Sequence, residues 1–454
     1  MKKIVTILIL FCLVAVVGKA QKTRVVCGDE RTDAYLPKLK DKRVALFANH
    51  TAVVRGKHIL DLLIDNKVNV VGVFAPEHGF RGTADAGEHV KNSTDKKTGV
   101  RIFSLYNGKD GTPDIKVLKE TDVLVVDIQD VGLRFYTYYI SMLQLMNACA
   151  KTKTTMMILD RPNPNGCYVD GPVLDMKYKS GVGALPIPVV HGLTLAEMAG
   201  MINGEGWLEG GEPCQLDIIA CRNYTHSTRY KLPIAPSPNL PNMQAIYLYP
   251  SLCLFEGTDV SLGRGTGLPF QQYGHPQMTG YKYSFIPRSV AGAKKPPQIN
   301  QLCFGVNLSH KSQEEIIKRG FDLTYVIDAY RNLNVGERFF TPFFTKLVGV
   351  DYVQKMIMEG RSNEEIRAVW QPELEKYKEM RRKYLIYKEE GVSSKGVSSK
   401  GVSSKGVSSK GVSSKRSKGR RSKGVSSKGV SSKGESSKGV SSKGERSKGE
   451  RSKE

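Results

Sequence analysis

The chain has 454 residues, 40% of them hydrophobic, and a formal net charge of +24. The charge is uneven: from Gly391 onward a GVSSK repeat with variants carries 18 Lys+Arg against 4 Asp+Glu, leaving 50 against 40 in the rest. The remainder is therefore only mildly basic, which gives no ground for expecting a nucleic-acid partner. Eight cysteines without a CxxC or regular spacing exclude the disulfide framework of a small secreted domain, while leaving room for one or two bonds.

Lys2 and Lys3 precede an apolar stretch, Ile4–Val17, and Gly18-Lys19-Ala20 offers small residues before Gln21. This is the pattern of a secretory signal peptide over residues 1–20. It predicts secretion across the inner membrane. No later stretch reaches eighteen apolar residues, so no transmembrane segment is expected in the mature protein.

Arg43–Ala48 reads as a short apolar strand ending at Asn49-His50, followed by a helix over 58–66. Val68–Phe74 is the next strand, stopped by Pro76. Val123–Asp127 is apolar on both faces, 138–151 has helical spacing, and Thr155–Leu159 is a further strand ending at Asp160-Arg161-Pro162. Continuous apolar runs alternating with helices predict an α/β fold, a Rossmann-like, doubly wound parallel sheet over residues 24–265. Thr194-Leu195-Ala196-Glu197 is a capping box, which makes Glu197 a structural cap. Beyond Gly265 the texture changes to short strands, helices at 312–319 and 323–332, and helical patterning over 351–384 that includes 364–370 and 373–384, read as a smaller α+β auxiliary domain over 266–390. Residues 391–454 lack aromatics and cannot bury enough surface to fold, so a disordered basic tail is expected. Its regular positive charge suits loose binding to anionic polymers of the envelope.

In open parallel sheets, ligands bind outside the carboxyl ends of the strands. Four such ends carry polar clusters: Asn49-His50, Glu77-His78, Asp127 to Asp130, and Asp160-Arg161-Pro162-Asn163. A shared cleft explains the coincidence. Glu77 follows a proline and precedes His78-Gly79. A carboxyl at the mouth of an apolar strand is partly desolvated, which favours its protonated form and suits general-acid work. Asp127 and Asp130 can stay ionised beside Arg134. Such a division between carboxyls is what glycoside hydrolysis uses. The same region also allows a metal-dependent hydrolase, with His50, Glu77, His78, Asp127, Asp130 and His191 as ligands, and chelator sensitivity would separate the two. Arg134-Phe135-Tyr136-Thr137-Tyr138-Tyr139 mixes aromatics with a cation, so the segment, Tyr136 included, reads equally as a sugar-stacking wall or as the start of a core-packed helix. Gly263-Arg264-Gly265-Thr266-Gly267 does not sit between a first strand and helix, which argues against a dinucleotide fingerprint, and no GxSxG, P-loop or HExxH is present.

Taken together, PEHGFRG (76–82), DIQDVGLRFYTY (127–138), DRPNP (160–164), HGLTLAEM (191–198), PSPNLP (236–241) and YPSLCLFEGTDVSLGRGT (249–266) make the chain resemble the exo-β-N-acetylmuramidases, glycoside hydrolase family 171, formerly a domain of unknown function. The resemblance spans nearly all of residues 30–387. It implies a Rossmann-like domain with a small auxiliary domain and a cleft between them. It also implies removal of terminal non-reducing N-acetylmuramic acid from peptidoglycan fragments, in murein turnover or recycling, without a cofactor, and with the periplasm, where murein is, as the expected address. Glu77 is then the leading catalytic candidate, with Asp127, Asp130 and Glu256 competing as the second group. Arg134, Arg161 and Arg264 are candidate clamps for the lactyl carboxylate of the muramyl saccharide. Asn49, His50, His78, Tyr136, Asn163, His191, Asn239 and Asp259 complete the expected substrate-binding set. A third reading is a non-enzymatic peptidoglycan-binding protein anchored by its basic tail.

Overall fold

A computed structural model describes residues 24–77, 79–80, 91–106 and 111–389. The expected signal peptide, the GVSSK tail and His78 lie outside them. The central sheet has seven strands: β1 (Arg43–Ala48), β2 (Asn69–Ala75), β3 (Ser93–Thr94), β4 (Arg101–Ser104), β5 (Val123–Asp127), β6 (Thr155–Leu159) and β7 (Leu216–Ile219). Their order is β7-β6-β5-β1-β2-β4-β3, and all neighbours are parallel except β3, which runs antiparallel to β4 at one edge. The parallel strands thus follow a doubly wound order, with the direction in which successive strands are added reversing between β1 and β5. That reversal opens a crevice at the carboxyl ends of those two strands.

Local sequence accounts for these elements. β1 is buried at five of six positions and β5 at all five, as expected of strands covered on both faces. Two apolar cores flank the sheet: Leu46, Val73 and Val125 face one, while Phe47, Phe74 and Val126 face the other. Between β1 and β2 runs α1 (Ile59–Asp65), capped by the His58 side chain, which accepts from the Leu60 amide. α2 (Tyr138–Thr152) connects β5 to β6 and ends on Lys153 in the left-handed conformation. α3 (Leu195–Gly204) begins with the expected capping box, in which Thr194 and Glu197 satisfy each other's backbone amides.

The C-terminal part adds a three-stranded antiparallel sheet, Gln272–His275, Cys303–Asn307 and Tyr283–Phe285 in that order, surrounded by helices. The helical patterning over 351–384 takes form as a short helix, Tyr352–Met358, and as α4 (Asn363–Arg382), which runs through Pro372 without a break. Its buried stripe of Ile366, Trp370, Leu374, Tyr377 and Arg381 repeats at helical spacing across that point. Packing of this stripe outweighs the lost backbone hydrogen bond. Among the described residues no helix is long and apolar enough to cross a membrane.

Candidate active site

β2 ends where Pro76 removes a ladder donor. The chain turns at once, with the Gly79 amide bonded to the Pro76 carbonyl at 3.0 Å and Gly79 at φ +73°. Glu77 projects from this turn into a cavity of about 400 Å³. The segment after β5 supplies Phe135, Tyr136, Thr137 and Tyr138. Ser237 and Leu240 come from the proline-rich loop, and Tyr249, Glu256, Arg264 and Phe270 from the region beyond it. Thr137 Oγ1 donates to Glu77 Oε2 at 3.3 Å. Burial, and then the neighbouring Glu77 charge, push the Tyr106 hydroxyl above its ordinary value.

The aromatic wall is fixed by polar tethers. Tyr136 and Tyr138 pack edge to face at 4.6 Å, and both hydroxyls donate to the Pro236 carbonyl, at 2.8 and 3.4 Å. Asn49 donates its amide to the Tyr138 hydroxyl at 3.0 Å. Asn49 therefore stands behind the wall, at the end of β1, and acts through Tyr138. Tyr136 is only 6% exposed, so the two readings of this residue merge: it is a core residue whose ring borders the cavity. His50 bonds the Ala235 carbonyl at 2.8 Å, and Asn239 holds the Gly292 carbonyl at 2.8 Å. Both fasten the loop that carries Ser237.

Among the described residues that line the cavity, Arg264 is the cation. Its Nε and Nη2 donate to Glu256 Oε1 at 3.2 and 2.5 Å, and its guanidinium lies 4.9 Å from the Phe270 ring centre. Gly265 shows why the loop needs glycine there: at φ +78°, its backbone approaches Arg288 so closely that a Cβ would sit 2.3 Å from the Arg288 carbonyl oxygen. Glu256 thus shares the cavity with Glu77. Asp259, three residues further along, is exposed and outside the cavity lining.

The other expected site residues are placed elsewhere, and the shared cleft of four strand ends is not what forms. Arg134 is fully buried and donates to four backbone carbonyls, those of Pro172, Ile187, Leu347 and Val348, at 2.5–3.0 Å. It braces the chain and has no pairing with Asp130. Arg161 bridges two buried carboxylates, Asp127 and Asp29, each at 2.6 Å. Asp29, in the short 3-10 turn Gly28–Glu30, carried no sequence signal that singled it out. Burial raises Asp29 to about 7, against the opposing charge of Arg161. Asp130 is buried behind the tyrosine wall, where it accepts the Gly132 amide at 2.6 Å. Desolvation holds its carboxyl at about 7. Asn163 bonds the Leu193 carbonyl and the Asn165 amide. His191 is buried, and desolvation followed by the Arg381 charge lowers it to about 3, so it is a neutral imidazole. Asp160 collects the Ala196 amide and the Tyr387 hydroxyl and is likewise internal. Among the described residues, no three His, Cys, Asp or Glu side chains converge as metal ligands would.

Residues missed by the sequence reading include Ser237 and Tyr249. Both lie within the recognised motifs, but nothing in their spacing distinguishes them from core or turn positions.

Two adjacent family models match the chain: the N-terminal part of the exo-β-N-acetylmuramidase NamZ over residues 44–244 and its C-terminal part over 247–387. The peptidoglycan β-N-acetylmuramidase NamZ of Bacillus subtilis (strain 168) is 35% identical over 394 residues, covering 81% of this chain and 92% of that protein. A crystal structure of a DUF1343 family protein from Bacteroides fragilis NCTC 9343 superposes with a TM-score of 0.76 at 61% identity, covering 81% of this chain and all of that one. A second DUF1343 family protein from the same strain superposes with a TM-score of 0.67 at 27% identity, covering 80% of this chain and 99% of its own. On these matches, which run through both parts of the described fold, the chain belongs to the exo-β-N-acetylmuramidase family of glycoside hydrolases.

Proposed function

We propose that this protein removes terminal N-acetylmuramic acid from the non-reducing ends of peptidoglycan fragments, in the periplasm, as a step in murein turnover or recycling. The observation that carries the reading is the cavity at the mouth of β2, where a carboxyl, an aromatic wall and a paired arginine face one sugar-sized space. Glu77 is the general acid–base candidate, positioned to exchange a proton with the glycosidic oxygen. Tyr136 and Tyr249 border the space as apolar faces for the sugar ring. Arg264 is the group to receive the lactyl carboxylate, and Glu256 holds its planar fork in orientation. Export rests on the pattern of residues 1–20, and retention near anionic envelope polymers on the composition of residues 391–454.

The reading is tested with a chromogenic β-N-acetylmuramide and the matching glucosaminide. Release from the muramide alone supports it. Inactivity on both, and on a MurNAc-GlcNAc disaccharide, sinks it. Export is tested by fractionating the native organism's cells: a chain found only in the cytosol, with residues 1–20 retained, removes the periplasmic assignment.

A further inference from the structure

Cys27 and Cys221 lie on two short extended segments that meet outside the edge of the central sheet. Val26 and Arg222 exchange both backbone hydrogen bonds, at 3.0 and 2.8 Å, as an antiparallel pair. The next residue on each segment continues that register, which sets Cys27 directly opposite Cys221. Neither cysteine uses its amide for the partner: the Cys27 amide donates to Glu30 Oε2, and the Cys221 amide donates to the Tyr387 hydroxyl. They therefore form a non-hydrogen-bonded pair, in which α-carbons approach to about 4.5 Å. Disulfides span α-carbon separations of about 4.4–6.8 Å. Both side chains are buried, Cys27 at 3% and Cys221 at 9% exposure. Both are free thiols in this structure, and Cys27, ahead of burial, is the main influence that raises the Cys221 thiol.

We infer that Cys27 and Cys221 form a structural disulfide when the protein folds in an oxidising compartment. Two S–H bonds break and one S–S bond forms. Two protons leave, and the two electrons reduce an incoming disulfide, of a small molecule or a thiol–disulfide oxidoreductase, to two thiols. In the folded chain the Cys221 thiol is buried and held protonated, so the exchange belongs to folding, before the site closes. Once formed, the same burial shields the bond from reductants. Cys27 precedes β1 and Cys221 follows β7, so the bond encloses every strand of the central sheet in one covalent loop. It also anchors the start of the described chain beside Asp160, whose carbonyl accepts from the Gly28 amide. The inference needs the proposed export for its biological setting, but not the proposed substrate.

The test uses the full chain, unfolded and refolded in a mixture of reduced and oxidised glutathione, then alkylated in denaturant and digested without reductant. A peptide joining Cys27 to Cys221, two hydrogens lighter than its parts and separated by reduction, is expected. The melting midpoint of the refolded protein should fall by about 5 °C on full reduction, because a cross-link closing so long a loop restricts the unfolded chain. The Cys27→Ser/Cys221→Ser variant should lack that response. Peptide mapping of the unsubstituted chain does not depend on how the variant folds. Alkylation of both Cys27 and Cys221 in the refolded protein overturns the inference. So does a bond from either of them to another cysteine, including one from the other thiol pair in contact, Cys149 and Cys214. Since no sugar is involved, failure here leaves the muramidase reading untouched.

Discussion

Arg264 and Arg134 carry the same guanidinium into opposite circumstances. Arg264 lines the cavity with one carboxylate partner, whereas Arg134 is enclosed by four carbonyls contributed from both parts of the chain. Lysine cannot reproduce a planar fork in either setting. Arg264→Lys should raise KM for the muramide about tenfold, equivalent to about 1.4 kcal/mol of binding, with little change in melting temperature. Arg134→Lys should lower the melting temperature and leave KM for the muramide near that of the parent. An unchanged KM in Arg264→Lys would move lactyl recognition to other groups. Asp130 makes a separate, pH-dependent statement. Its folded carboxyl is raised to about 7 by desolvation, against about 3.9 in an unfolded chain. The folded state therefore holds the extra proton, so this group's contribution is fully present below about pH 4 and is lost as pH rises through about 7. Melting curves of Asp130→Asn should accordingly show a shallower loss of stability between pH 4 and 8 than the parent. Parallel pH profiles would show that Asp130 is ionised in the folded protein. The residue types of the site were legible in sequence, Glu77 above all, because Pro76 and Gly79 announce a turn at a strand mouth. Which polar strand ends would face the cavity was not legible. That depended on partners distant in sequence: Asp29 draws Arg161 inward, and the Tyr387 hydroxyl does the same for Asp160.

At the level of elements, the buried parallel strands could be read closely, since β1, β5 and β6 are uninterrupted apolar runs. β4 and β7 escaped notice. Each has only four residues, and β7 is only partly buried at three of its four positions, so neither stands out by hydrophobicity. α4, within the stretch whose pattern was helical, shows packing overriding a local rule. Pro372 is exposed, while the stripe from Ile366 to Arg381 is buried on both sides of it. The proline is therefore tolerated at a cost. Pro372→Ala restores an amide for the preceding turn and should stabilise the protein by about 1–3 kcal/mol, seen as a raised denaturant midpoint at constant slope. A lowered midpoint would mean that the proline's fixed geometry is itself required by the packing of α4.

The whole molecule makes its cavity from segments far apart in sequence. The turn after β2, the segment after β5 and the loops between Ser237 and Phe270 meet on one side of a doubly wound sheet. The repeat tail begins just after the folded unit. Truncation after Glu390 should leave melting temperature and small-substrate hydrolysis unchanged while weakening salt-sensitive association with anionic wall material, because such contacts are screened within about 8 Å at physiological salt. Misfolding of the truncated chain would make the tail part of the domain. The proposal that the carboxyl at the mouth of β2 drives hydrolysis of a muramyl glycoside stands or falls on the rate of release from a β-N-acetylmuramide by the parent chain and by Glu77→Gln. Release by the parent is expected, with none from the matching glucosaminide, and a loss of roughly two or more decades in kcat for the variant, with folding and substrate binding retained. A folded Glu77→Gln protein that turns over the muramide at the parent's rate would contradict it.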